Sequence, residues 1–179
     1  SDSGIFVYIP KNIIIDEPIR IIDVLAPDGT SSITRNIVIA ESNSKASIVQ
    51  EVYSNKQSDD KIQQSLFELL ECYVEANAGL DFVTLQAMNE KNSVNFSNRK
   101  AFIEKDAKMS WYMGLFGGQL SRYKIDNIMK GEGASAEDVE IIFGINDQSF
   151  DVTSNLIHYG PNTRGRVLSK SVMKDNSKS

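Results

Sequence analysis

One phrase recurs along this chain and restricts its possible folds more than any other feature. It is a polar turn closed by a small residue and followed at once by an apolar run. Ser42-Asn43-Ser44-Lys45-Ala46-Ser47-Ile48 is one instance, and Ala76-Asn77-Ala78-Gly79-Leu80-Asp81-Phe82 is a second. Lys105-Asp106-Ala107-Lys108-Met109-Ser110-Trp111 is a third, and the segment from Glu132 through Ala134 to Asp138 is a looser fourth. The segment 174–179 reads as a fifth, cut short. With Ser44, Ala78, Ala107, Ala134 and Ser177 as equivalents, the steps are 34, 29, 27 and 43 residues. Periods of about 20–50 residues point to solenoids and arrays. A small residue suits a corner that passes close under the next coil, and the strand after it stacks on its neighbour.

The rest of the pattern is also β. Residues 4–10, 13–15, 19–24, 33–40 and 46–53 form short runs rich in branched and aromatic side chains, as do 81–86, 108–113, 139–143 and 166–172. Polar clusters such as Pro27-Asp28-Gly29 and Gly131-Glu132-Gly133 separate them. The stretch 58–75 has two readings. Ser58 could cap a helix with Leu66, Phe67, Leu69 and Leu70 as its apolar stripe. The ending Cys72-Tyr73-Val74 favours a strand over 66–75. Pattern alone leaves a β-sandwich open beside the solenoid. The expected interior of a solenoid comprises Ile5, Val7, Ile37, Ile39, Phe82, Ile103, Trp111 and Ile141.

The bulk properties narrow the function. The chain has 179 residues, 41% of them apolar, enough for the core of one domain. Its formal net charge of −5 argues against a general nucleic-acid binder, which needs a basic stripe. No apolar run approaches the roughly 20 residues that span a bilayer, and residues 1–4 do not open a signal peptide. A cytoplasmic protein is the expectation. One cysteine, Cys72, and one histidine, His158, cannot supply the about four ligands of an iron–sulfur cluster or structural zinc.

No catalytic residue stands out. Cys72 lies among apolar residues and reads as a small buried hydrophobe. Its alternative role is a metal ligand or sulfur acceptor, which requires a nearby cation to favour the thiolate. His158 precedes Tyr159-Gly160-Pro161-Asn162-Thr163 and reads as a turn residue bonded to backbone, or else as a metal ligand. No serine sits in a G-x-S-x-G elbow. Glu68, Glu71 and Glu75, and likewise Glu137, Asp138 and Glu140, could pair for glycoside hydrolysis on a β-solenoid. A solvated acidic face is their plainer reading. The glycines of 114–118 and 131–133 match no phosphate loop and read as tight β corners.

Five phrases in order resemble the SufB/SufD family of iron–sulfur cluster assembly proteins. Gly4-Ile5-Phe6-Val7-Tyr8-Ile9-Pro10-Lys11 resembles the opening of the family core. Asn98-Arg99-Lys100-Ala101-Phe102-Ile103-Glu104 resembles its R-R-A segment, and Trp111 falls where the family often has a tryptophan. Leu115-Phe116-Gly117-Gly118-Gln119-Leu120-Ser121 is similar to L-G-G-x-L-S. Gly131-Glu132-Gly133-Ala134-Ser135-Ala136 matches G-E-G-A-x-A. His158-Tyr159-Gly160-Pro161-Asn162-Thr163 with Ser169-Lys170-Ser171 resembles H-x-x-P-N-T…S-K-x. The resemblance implies an all-β, right-handed parallel β-helix over 1–179, as one domain truncated at its C-terminal end. It also implies a non-catalytic scaffold subunit. Its partners would be a SufC-like ATPase, through a segment missing here, and a SufB-like subunit or a second copy, through strand edges. The Fe–S cluster would belong to the complex, with no cofactor bound by this segment alone. SufB-type members tend to carry a cysteine where this chain has Leu80, which tilts the resemblance towards SufD or an undivided SufBD-like protein. A carbohydrate-active β-helix enzyme is the alternative.

Overall fold

A computed structural model describes residues 3–25, 29, 31–54 and 62–179. Among them are twelve strands and no helix. They run β1 Phe6–Ile9, β2 Ile19–Val24, β3 Ser31–Ala40, β4 Lys45–Tyr53, β5 Gln64–Val74 and β6 Gly79–Ala87. The second half holds β7 Ser93–Ile103, β8 Lys108–Leu115, β9 Leu120–Met129, β10 Ser135–Gly144, β11 Ser149–His158 and β12 Arg164–Met173. Odd strands form one sheet in the order β1-β3-β5-β7-β9-β11, and even strands form the other. All pairings are parallel. This is the expected all-β parallel β-helix. Each turn lays one strand on each sheet, and the two sheets enclose a common core. The sandwich alternative falls, because its sheets would be antiparallel.

The corner from the odd sheet to the even sheet explains the recurrent phrase. Asn12, Asn43, Asn77, Asp106, Gly133 and Asn162 all have positive φ, between 54° and 71°. That left-handed turn favours Asn, Asp and Gly. Each corner amide bonds the coil above: Asn43 N–H donates to Ala76 O at 3.0 Å, Asn77 to Lys105 O at 2.9 Å and Asp106 to Glu132 O at 2.8 Å. After four of these turns the next residue is small and buried: Ser44, Ala78, Ala107 and Ala134. Gly133 carries the same φ against the Asp106 side chain, where a Cβ would lie 2.3 Å from Asp106 Oδ1.

One member of the sequence series is misplaced. Ser177 sits at the opposite corner, where Asn176 N–H donates to Asn146 O at 2.9 Å. The true successor of Ala134 is Thr163, since Gly133 N–H donates to Pro161 O at 3.0 Å. The last step is therefore 29 residues, close to the 27 and 29 before it, and the uneven 43 disappears.

The interior also departs from expectation. Phe82, Ile103 and Trp111 are buried, and Ile5 and Val7 pack against the core half-covered. Ile37 and Ile39 instead face outward, because Asn36, Val38 and Ala40 take the inward positions of β3. Ile141 is 52% exposed, and Glu140 and Ile142 point in. Strand period fixes this: moving one residue along exchanges every side chain between faces. The segment 13–15 makes only a bridge from Ile14 to Lys45. Over 66–75 the strand reading holds, as β5. Ser58 and the first two residues of Pro27-Asp28-Gly29 lie outside the described residues.

Candidate functional site

Polar residues, not only apolar ones, fill the middle of the solenoid. Inward positions of β7 are Asn95, Ser97, Arg99, Ala101 and Ile103, all buried. Arg99 is 1% exposed and Glu68 of β5 is 5% exposed. The guanidinium donates to Glu68 Oε2 through Nη2 at 2.9 Å and through Nε at 3.1 Å. Nη1 donates to Thr84 Oγ1 at 2.6 Å, and Nη2 also reaches Gln50 Oε1 at 2.9 Å. Glu68 further accepts from Gln50 Nε2 at 2.6 Å, Asn36 Nδ2 at 3.2 Å and the Ser97 hydroxyl. Arg99 and Glu68 are thus both bonded from both sheets, the condition under which a buried ion pair is tolerated.

Aromatic rings surround the cation. The Arg99 guanidinium lies 5.1 Å from the Tyr123 ring, 5.5 Å from Phe82 and 5.6 Å from Trp111. Burial alone would raise the Glu68 carboxyl, but Arg99, Ser97 and Gln50 outweigh it and hold it below its ordinary value. Gln50 Nε2 also donates to Asp23 Oδ2 at 2.9 Å, and burial raises that carboxyl.

A second polar string continues beyond Trp111. Its indole N–H donates to Asn127 Oδ1 at 3.0 Å. Asn127 Nδ2 then donates to both oxygens of Asp138, at 2.9 and 3.1 Å. Ser154 donates to Glu140 Oε1 at 2.6 Å.

The two residues singled out as possible ligands do not meet. Cys72 is fully buried, between Val38 and Ala101 on the neighbouring strands. Burial pushes its thiol well above the ordinary range, over the opposing charge of Arg99. Such a thiol is a hydrophobe and not a nucleophile. His158 ends β11, exposed, with Nδ1 2.7 Å from Thr163 Oγ1. It bonds a turn side chain where backbone was expected. β5 and β11 are separated by β7 and β9, and His158 is two residues beyond the level of Cys72, so the two lie more than three strand spacings, about 14 Å, apart. Among the described residues no three of His, Cys, Asp and Glu converge as metal ligands.

The acidic clusters are a correction. Glu68, Asp138 and Glu140 are not a solvated face but interior residues. Glu71 and Glu137 are outward and pair with Arg35 at 2.8 Å and Arg166 at 3.1 Å. Glu75 accepts from Ser42 at the corner. No polysaccharide can reach Asp138 and Glu140 inside the helix. The sequence could have disclosed Arg99, because stepping back by twos from the buried Ile103 reaches it.

No helix among the described residues is long and apolar enough to cross a membrane. Residues 24–179 match the family described as SUF system FeS cluster assembly, SufBD core domain. Similar curated proteins are each called an iron–sulfur cluster assembly SufBD family protein. One from Staphylococcus epidermidis is 26% identical over 176 residues, covering 98% of this chain and 37% of its own length. One from Staphylococcus saprophyticus is 27% identical over the same extent, and one from Staphylococcus aureus is 26% identical. This chain therefore spans little more than a third of the relatives it matches. With the parallel solenoid in place and the match running over nearly all of it, the chain belongs to the SufB/SufD family through its SufBD core domain.

Proposed function

We propose that this domain is a non-catalytic scaffold of a Suf-type assembly complex, cytoplasmic, and of the SufD or undivided SufBD-like type. It works with a SufC-type ATPase and pairs through a strand edge with a SufB-type subunit or a second copy. The iron–sulfur cluster is cargo of the complex, with ligands drawn from elsewhere in it. One observation carries the reading: a buried, hydrogen-bonded Arg99–Glu68 centre ties the two sheets together, which suits a rigid beam, and the Cys72 thiol is buried out of reach of substrate. Leu80, where SufB-type members tend to have a cysteine, is likewise buried and inert.

β12 is the terminal strand of the even sheet among the described residues. It bonds β10 on one side. Arg164 N–H donates to Ala134 O and Lys174 N–H to Gly144 O, so even-numbered amides of β12 point to β10. Odd-numbered amides then point away from β10, where a further coil of the same chain or a strand of a partner can pair. Affinity purification of the protein from its host should recover an ATPase of the SufC type and a second SufB/SufD-type subunit. Ser169→Pro removes one outward amide and leaves the β10 ladder intact. If the second subunit pairs at this edge, the variant should release it and keep the ATPase. Recovery of neither partner with the unaltered protein would sink the assignment.

A further inference from the structure

The outer face of the odd sheet carries a trough between two rows of side chains in register. One row is Ile33, Phe67, Phe96 and Arg122, on β3, β5, β7 and β9. The other is Arg35, Leu69, Asn98 and Lys124 on the same strands. All of these but Arg35 line a volume of about 420 Å³, within the range of ligand clefts. One end of the trough is apolar. The Phe67 and Phe96 rings stack with centroids 5.4 Å apart, and Phe67 and Ile33 are 40% and 45% exposed. A contiguous apolar patch rimmed by polar groups marks an interaction site, where scattered single residues do not. The other end is cationic, with donors to spare. Arg122 meets Asp151 through Nε at 3.1 Å, and among the described residues its two Nη groups have no partner. Lys124 reaches Asp126 only at 3.5 Å, and Asp126 already accepts from Asn155 at 2.8 Å. Arg35 differs, since it gives both Nε and Nη2 to Glu71.

We propose that this trough docks an extended acidic segment of a partner protein, with an apolar side chain of the segment against Phe67 and Phe96 and a carboxylate on Arg122 and Lys124. Charge selects the segment. The chain carries a net −5, yet the trough presents cations. The one carboxyl residue that lines it, Glu68, points into the core and is held by Arg99. The free fork of Arg122 has the geometry that a carboxylate meets with two parallel bonds. Length selects an extended chain. From β3 to β9 is three strand spacings, about 14 Å, the reach of about four extended residues. A second copy of this domain would need about 800 Å² on each side, far more than such a trough offers. Asn98 stands exposed midway, and among the described residues its amide has no partner, so it is free to bond the backbone of the segment. The trough lies on the outer face of the odd sheet, away from the β12 edge, and adds a partner surface that strand pairing does not use.

The test is an amide NMR titration of the unaltered protein with the capped tetrapeptide acetyl-Leu-Ser-Glu-Glu-amide. Shifts should be confined to 33–35, 67–69, 96–98 and 122–124. Exchanging both glutamates for glutamine, or the leucine for glycine, should weaken binding about five-fold or more. Arg122→Gln should weaken it as much and leave the urea midpoint almost unchanged, because that side chain is 61% exposed. A glutamine peptide that binds as well as the parent, shifts that fall elsewhere, or no binding at all would overturn the proposal. So would a response to phosphatidylglycerol vesicles and none to the peptide. A failed titration leaves the recovery of partners by affinity purification untouched, so the trough and the scaffold reading fail separately.

Discussion

The solenoid buries carboxylates in two ways, and the contrast shows what its interior demands. Around Glu68 the chain supplies a cation, Arg99, and enough donors to keep the carboxyl ionised. Around Asp138 it supplies amide and hydroxyl groups only, and the carboxyl is driven the other way. The two carboxylates lie two solenoid turns apart, with Arg99 and Trp111 on the turn between them; the Trp111 ring faces Arg99 and its N–H begins the string to Asp138. A buried charge is thus tolerated where it is paired, and neutralised where it is not. The consequence for pH has opposite signs. Glu68 has a depressed folded pKa, so its contribution is present above the ordinary glutamate range and is lost as pH falls through the folded value. Asp138 has a raised one, so its stability is present below 3.8 and is lost as pH rises towards about 6.

The largest expected effect comes from breaking the paired centre. Arg99→Met leaves Glu68 buried without its cation and should cost about 3–5 kcal/mol in urea unfolding. Adding Glu68→Leu should restore much of that loss, because an apolar pair of similar volume needs no compensation. A double variant as unstable as the single one would show that Arg99 acts through its contacts with Phe82, Trp111 and Tyr123 and not through Glu68. Next in size is the join between the centres. Trp111→Phe keeps a ring beside Phe82 and Arg99 but removes the N–H that fixes Asn127. A buried acceptor left unpaired costs about 1–3 kcal/mol. Asn127 would then be free to rotate, and the Asp138 titration should shift with it. A variant that loses stability with no change in that titration would separate the two centres.

Much of this was legible in the sequence. The strand 19–24 and the corner residues Ser44, Ala78, Ala107 and Ala134 follow from local chemistry alone, and the structure places them as expected. Three strands, β7, β9 and β11, escape the pattern reading. Their inward rows are interrupted by Ser97 and Arg99, by Ser121 and Asn127, and by Ser154, so the apolar alternation is broken or absent. The same polar interior hid the candidate site, since Asp138 and Glu140 look like surface residues until a partner for each is known. Ile37, Ile39 and Ile141 fail for the converse reason: apolar residues also cover the outer faces of both sheets, and hydrophobicity alone does not say which face is inside. What sequence could not supply was register, the pairing that sets Arg99 beside Glu68 across a gap of 31 residues.

The corners give a smaller and cleaner comparison with both centres, because their contribution is conformational. Asn77 has φ of 59°, and its amide donates to Lys105 O at 2.9 Å. Asn77→Ala keeps that backbone bond but places a residue that disfavours the left-handed region there, at a cost of about 1–2 kcal/mol. Asn77→Gly relieves the strain but adds freedom to the unfolded chain, and should lie closer to the parent. Neither change involves a charge, so the loss should be the same at every pH below the alkaline range, unlike anything done to Glu68 or Asp138. Smallest of all is Arg166→Ala. Its partner Glu137 is 3.1 Å away, but the Arg166 side chain is 65% exposed, and such pairs contribute about 0–1 kcal/mol. If Arg166→Ala proved as costly as Arg99→Met, burial would not be what sets the worth of an ion pair in this fold, and the contrast drawn between its two interior carboxylates would lose its physical basis.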